Sequence, residues 1–170
     1  DLHSLQHSFP TRRSSDLTGC ENNDNSRKAP GDQLPPPTQS GKYTFGCLVN
    51  GEVMIPNNTN YMSAVYQGGG IQIGGRMEIN SISNRVTLIA IDPIQTNQTY
   101  SLTDKALFIK RIEDNTSCYY DYENTFDGWI KFSKIDRTNY IVSGTFEFST
   151  VNENCDTIRV TDGRFDLPYI

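Results

Sequence analysis

The chain has 170 residues, with 15 basic against 20 acidic side chains and a formal net charge of -5. A mildly acidic chain is a poor polyanion binder, which excludes nucleic acid as an expected partner. Only two histidines and four cysteines are present, so little of the usual nucleophilic and metal-binding repertoire is available.

In chain order, the first distinctive stretch is HSFPTRRSSDL, His7 to Leu17. Read back into codons, it resembles a short-read sequencing adapter translated in one frame. Asp1-Leu2-His3 continues the match upstream, and Ser4-Leu5-Gln6 fits the intervening index with the frame kept. Residues 1–17 are therefore expected to be a library artefact and are set aside from fold reasoning. Both histidines, His3 and His7, fall inside that segment. Without them Ser-His-Asp and Cys-His catalysis and His-ligated metal sites are excluded, leaving carboxylate, thiol, Lys, Arg or Tyr chemistry. The segment carries Asp1 and Asp16 against Arg12 and Arg13, so setting it aside leaves the net charge unchanged.

Thr18-Gly19-Cys20 follows, and with Leu17 it reads L-T-G-C, the end of a bacterial lipoprotein signal peptide whose cysteine receives diacylglycerol. Cys20 is accordingly the expected lipidation site. Glu21 to Lys42 is polar and Pro-rich, so residues 18–41 read as signal remnant and disordered tether. No stretch from Cys20 onward is long and apolar enough to span a bilayer, and the expected partner is a membrane held through the lipid. The expected location is the cell envelope, on the outer membrane, facing either the periplasm or the surface. Three cysteines remain. Cys118 and Cys155 each adjoin turn-like polar runs and are favoured as a disulfide, while Cys47, within YTFGCLV, reads as a small buried hydrophobe with no histidine to activate it.

Residues 42–170 have the length of one domain with a proper core. Runs rich in β-branched and aromatic residues recur: KYTFGCLV, YMSAVYQ, IQIGGRMEINSI, RVTLIAID, KALFIKRI, CYYDY, GWIKFSKID, YIVSGTFEFSTV and DTIRVTDGRF. Turn chemistry separates them at Asn50-Gly51, Pro56-Asn57-Asn58, Ser83-Asn84, Pro93, Glu113-Asp114-Asn115, Asp136 to Asn139 and Asn152-Glu153-Asn154. No window sustains a helical apolar period, which removes parallel βαβ topology and predicts an all-β antiparallel fold, a β-sandwich or a flattened β-barrel. Alternation assigns Val142, Gly144, Phe146 and Phe148 to one face and Ser143, Thr145 and Glu147 to the other; Ile130 and Phe132 oppose Trp129 and Lys131. In RVTLIAID both Val86, Leu88, Ala90 and Thr87, Ile89, Ile91 are mostly apolar, which predicts a central strand covered on both faces.

LPPPTQSGKYTFGCLVNG, GWIKFSKID with YIVSGTFEFSTVN, and the closing TDGRFDLPY together make the chain resemble a family of small Bacteroidota-type lipoproteins of unknown function. The resemblance covers Leu34 to Tyr169. It implies a secreted, lipid-anchored β domain and brings no catalytic residues. Met54-Ile55-Pro56 departs from it, since an aromatic or second bulky residue is expected before the proline.

Chemistry-bearing features are sparse. The glycines of QGGGIQIGGRM lack the following helix and Lys-Ser/Thr pair of a phosphate cradle, so Gly68 to Gly70 read as a hairpin end and Gly74-Gly75 as a bulge. The acids Glu113, Asp114, Asp121, Glu123 and Asp127 match no calcium loop and read as solvated turn acids. Asp162-Gly163 reads as a turn or glycine bulge, with Arg164 pairing Asp166 or Glu147. Trp129, beside Tyr120 or Tyr122 if their strands pair, is the expected ligand surface for a sugar or partner protein. No cofactor, metal or catalytic residue is expected. The leading expectation is a non-enzymatic envelope module binding a glycan or an envelope protein. The alternatives are a carboxylate-dependent glycan hydrolase and an accessory subunit of an outer-membrane assembly.

Overall fold

The computed structural model describes residues 28–112 and 116–170. The adapter-like segment, Cys20, Glu113 and Asp114 lie outside them. Among the described residues the β-rich runs become eleven strands: β1 (Thr44–Val49), β2 (Glu52–Met54), β3 (Met62–Gln67), β4 (Gly70–Ile79), β5 (Ile82–Ile91), β6 (Thr99–Ser101), β7 (Ala106–Arg111), β8 (Ser117–Tyr120), β9 (Thr125–Asp136), β10 (Ile141–Asn152) and β11 (Cys155–Pro168). They form two antiparallel sheets, β2-β1-β11-β10-β9-β6 and β3-β4-β5-β7-β8, which do not close into a barrel. The fold is an all-β sandwich.

Period-2 alternation builds the core. Phe45, Phe132, Val142, Phe146 and Phe165 from the larger sheet meet Ile73, Val86, Leu88, Phe108 and Tyr120 from the smaller one. The Phe146 ring centroid lies 5.4 Å from that of Phe45 and 6.3 Å from that of Phe165. One extra residue in β11 corrects its phase. Phe146 pairs with Gly163 and Phe148 with Val160, and Asp162 takes a φ of 53° at the resulting bulge. Ile158 and Val160 before it, and Phe165 and Leu167 after it, thereby all face inward despite their odd separation. The predicted turn or glycine bulge at Asp162-Gly163 is this device.

Three two-residue hairpin turns share one geometry: Asn50-Gly51, Gly68-Gly69 and Asn80-Ser81 all have positive φ at both positions, which matches the right-handed twist of the flanking strands. The third corrects the sequence reading. IQIGGRMEINSI is two strands, with the reversal at Asn80-Ser81 and the expected separator Ser83-Asn84 inside β5. Nor is Gly74-Gly75 a bulge, because β4 keeps an unbroken register with both neighbours. Gly75 is instead a packing position. A Cβ there would lie 2.4 Å from the Phe45 ring, and that ring is buried against Phe146. Gly75→Ala is expected to destabilise the domain by about 1–3 kcal/mol through overpacking, read as a lower urea midpoint with an unchanged slope. A variant as stable as the parent would mean that Phe45 has room to swing.

β5 is central in its sheet, as predicted, but its outer face is open: Ile91 is 58% exposed and Ile89 only partly covered. At one sheet edge, the residues after β11 strap β3. The Tyr66 N–H donates to the Ile170 carbonyl at 2.7 Å, and the Ile170 N–H to the Ala64 carbonyl at 3.2 Å, occupying hydrogen-bonding groups that an edge strand otherwise presents to other chains.

The Pro-rich segment departs most from expectation. Residues 18–41 read as a disordered tether, yet from Pro30 onward the chain is docked on the outer face of the larger sheet. Pro30–Gln33 makes one 3-10 turn and Leu34 is buried. Pro35 fits only because Gly46 has no side chain, since a Cβ there would stand 2.8 Å from the proline ring. Beyond it the chain wraps around the fully buried Asp166. The Thr38 hydroxyl donates to Asp166 Oδ2 at 2.6 Å, and the Ser40, Gly41 and Lys42 amides donate at 3.0, 2.8 and 3.1 Å. The Ser143 hydroxyl on β10 supplies a fifth donor at 2.7 Å. Burial alone would raise the Asp166 carboxyl, but these hydrogen bonds, from Thr38 and Ser143 foremost, outweigh it and hold the group well below the usual carboxylate range.

Candidate functional site

Trp129, Tyr120 and Tyr122, the residues expected to form a ligand surface, do not assemble. Trp129 stands on the outer face of the larger sheet, opposite Glu147 on β10 and Ser101 on β6. Tyr120 belongs to the other sheet and points into the core, 5.8 Å from the Phe108 ring centroid, with its hydroxyl donating to the Asp156 carbonyl at 2.5 Å. Tyr122 sits in the 3-10 turn between β8 and β9. The expected aromatic row is therefore absent, because β8 and β9 go to different sheets. Burial, followed by the nearby Asp156 and Asp121 charges respectively, raises the Tyr120 and Tyr122 hydroxyls above their ordinary values.

The other candidates resolve as structural parts. Asp121 caps the 3-10 turn, its carboxylate accepting from the Tyr122 amide while its own amide donates to Asn124 Oδ1. Among the described residues no group of three or more His, Cys, Asp or Glu side chains is placed to hold a metal. Arg164 pairs with neither expected acid. Its guanidinium donates to the Asp162 and Pro35 carbonyls, because Asp166 is already enclosed by five donors. Cys118 and Cys155 form a disulfide with Cα atoms 6.1 Å apart. Cys47 is a free, buried thiol beside Met54, and burial pushes it up to about 12, so it is neither a nucleophile nor an accessible one.

A different site appears on the outer face of the smaller sheet. Register places Arg76 opposite Arg85, Arg85 opposite Ile109 and Ile109 opposite Tyr119. Tyr61, just before β3, completes the row: the Arg76 guanidinium lies 4.0 Å above its ring. One step along the strands, the outward residues are Ser63, Gly74 and Thr87. One step further they are Val65, Gln72 and Ile89. Two rows of larger side chains thus flank a row of small ones, leaving a trench across the strands. Its main depression is about 300 Å³, lined by Asn60, Tyr61, Ser63, Gln72, Arg76, Arg85 and Thr87 around Gly74. A second depression of about 220 Å³ lies beyond the Val65-Gln72-Ile89 row, lined also by Gln67, Gly70 and Ile91.

No family model, curated protein or solved structure matches this chain. Its chemistry is therefore read from the trench itself. Arg85 is exposed and has no ion partner among the described residues, and Arg76, half-buried against Tyr61, reaches the exposed Glu78 only at 3.7 Å. Guanidinium, amide and hydroxyl groups line the main depression without a carboxylate. Glu52 and Asp121 each stand alone in two other grooves. The trench can hold a polar ligand through hydrogen bonds, but it offers no acid–base pair to cleave one.

Proposed function

We propose that the chain is a non-enzymatic binding or accessory module of the cell envelope, held to the outer membrane by lipid on Cys20, that reads its ligand with the outer face of the smaller sheet. The carrying observation is the trench, a concave, donor-rich strip on a rigid sheet with no carboxylate among its lining residues. A Cys118–Cys155 disulfide fits an oxidising compartment outside the cytoplasm. Glycan hydrolysis is the weaker reading, because none of the grooves described is lined by two carboxylates. Intact mass spectrometry of the protein recovered from native membranes tests the anchor. Two or three acyl chains on Cys20 are expected, and an unmodified Cys20 sinks it. Release of reducing ends from a panel of polysaccharides would overturn the non-enzymatic assignment.

A further inference from the structure

We infer that the trench binds an acidic polysaccharide, with the ligand's anionic groups seated on Arg76 and Arg85; the inference rests on the binding-module reading above. Like charges directly opposed on neighbouring strands destabilise a sheet, and Arg76 and Arg85 are such a pair. Arg76 is partly compensated by Glu78 at 3.7 Å and by the Tyr61 ring at 4.0 Å, whereas Arg85 has no ion partner among the described residues. An anion bridging the two guanidiniums would turn that repulsion into affinity, in the planar, multidentate geometry that arginine offers to carboxylate and sulfate.

The remaining surface favours sugar over other anions. The floor and opposite wall present Ser63 and Thr87 hydroxyls and the Gln72 amide, groups that exchange hydrogen bonds with ring hydroxyls. The trench is open at the surface, so an extended polymer can lie along it. The trench crosses β3, β4 and β5, about 10 Å at about 4.8 Å spacing, with Leu107 opposite Thr87 at its β7 end, so it seats a short segment of a chain that continues over the open surface rather than a single small ion. The net charge of -5 opposes long-range capture of polyanions, so recognition is local and depends on these two arginines rather than on a general basic field.

The test uses the full chain carrying Cys20→Ser, so that an acyl chain does not itself enter lipid. Isothermal titration is run with polygalacturonate, neutral dextran and vesicles of phosphatidylglycerol in phosphatidylcholine. Polygalacturonate alone is expected to bind, more weakly as salt rises. Arg85→Ala is expected to weaken it about tenfold, the scale of one charge-assisted hydrogen bond, and Arg76→Ala with Arg85→Ala further. Arg159→Ala, an exposed arginine on the larger sheet, is expected to change nothing. Equal binding of dextran, preference for the vesicles, absence of polygalacturonate binding, or an equal loss in Arg159→Ala would each overturn the inference. Acylation of Cys20 in the native protein is read separately: acylation without polygalacturonate binding removes the ligand class alone, whereas binding without acylation removes the anchor alone.

Discussion

Asp166→Ala is expected to destabilise the domain by about 3–4 kcal/mol, near the upper end of single-residue effects. Five donors converge on this one buried carboxylate. Alanine leaves them without an acceptor, and the segment from Thr38 to Lys42 loses what holds it to the sheet. Asp166→Asn keeps one acceptor oxygen but turns an NH2 group toward a ring of donors, so it recovers only part of the loss. Urea denaturation at neutral pH measures both. The pH dependence has a definite sign. Because the folded-state carboxyl is depressed, its stabilisation is fully present above the unfolded value of about 3.9 and is lost as pH falls through the lower folded value. The difference between parent and Asp166→Asn is therefore expected to stay level from pH 7 to pH 5 and to shrink only in strong acid. A difference that collapses already between pH 6 and pH 5 would show that the carboxylate is not held this way.

Reduction of the Cys118–Cys155 disulfide is expected to lower stability by about 4 kcal/mol, the loop-closure entropy of a cross-link spanning 37 residues. The bond joins β8, the edge of the smaller sheet, to the first residue of β11 in the larger one. β8 has four ladder pairs and a single strand neighbour, so it is the element that frays first. Two hydrogen bonds oppose that fraying: the Tyr120 hydroxyl to the Asp156 carbonyl at 2.5 Å, and the Asn152 side chain to the Tyr119 carbonyl at 2.7 Å. Urea titrations with and without reductant, and of Cys118→Ser with Cys155→Ser, separate the contributions. The buried Cys47 thiol stays out of exchange in the folded state. An unchanged midpoint would mean that the two hydrogen bonds and the Tyr120 ring already hold the edge without the covalent bond.

The fold was legible where one signal dominated. Alternation in YIVSGTFEFSTV placed Val142, Phe146 and Phe148 inward, and Asn50-Gly51 is the residue pair that a two-residue hairpin turn favours. Legibility failed where a position depends on a distant partner. The carboxylate that docks the Pro-rich segment stands 128 residues from Thr38, and composition alone reports that segment as polar and unable to pack. The trench was hidden by a turn placed three residues late. Reversal at Asn80-Ser81 sets Arg76 opposite Arg85, whereas reversal at Ser83-Asn84 destroys that pairing. Asn80-Ser81 lacks the glycine that usually marks a double positive-φ turn, so nothing local distinguished it from strand. Trp129 failed for a related reason: its outward face was correctly read, but sheet membership is not encoded in alternation.

The docked segment also has a mechanical meaning. It leaves the larger sheet on the face opposite the trench, so a ligand and an N-terminal tether would pull on opposite sides of the sandwich. Tension along that line reaches the Asp166 hydrogen bonds before it reaches the ladder between β1 and β11. Pro30 to Lys42, once released, would span about 45 Å of chain at full extension, at roughly 3.3–3.6 Å per residue. A pull applied ahead of Pro30 would therefore load the Asp166 clasp before the strands, and at the expense of the stability that the carboxylate contributes.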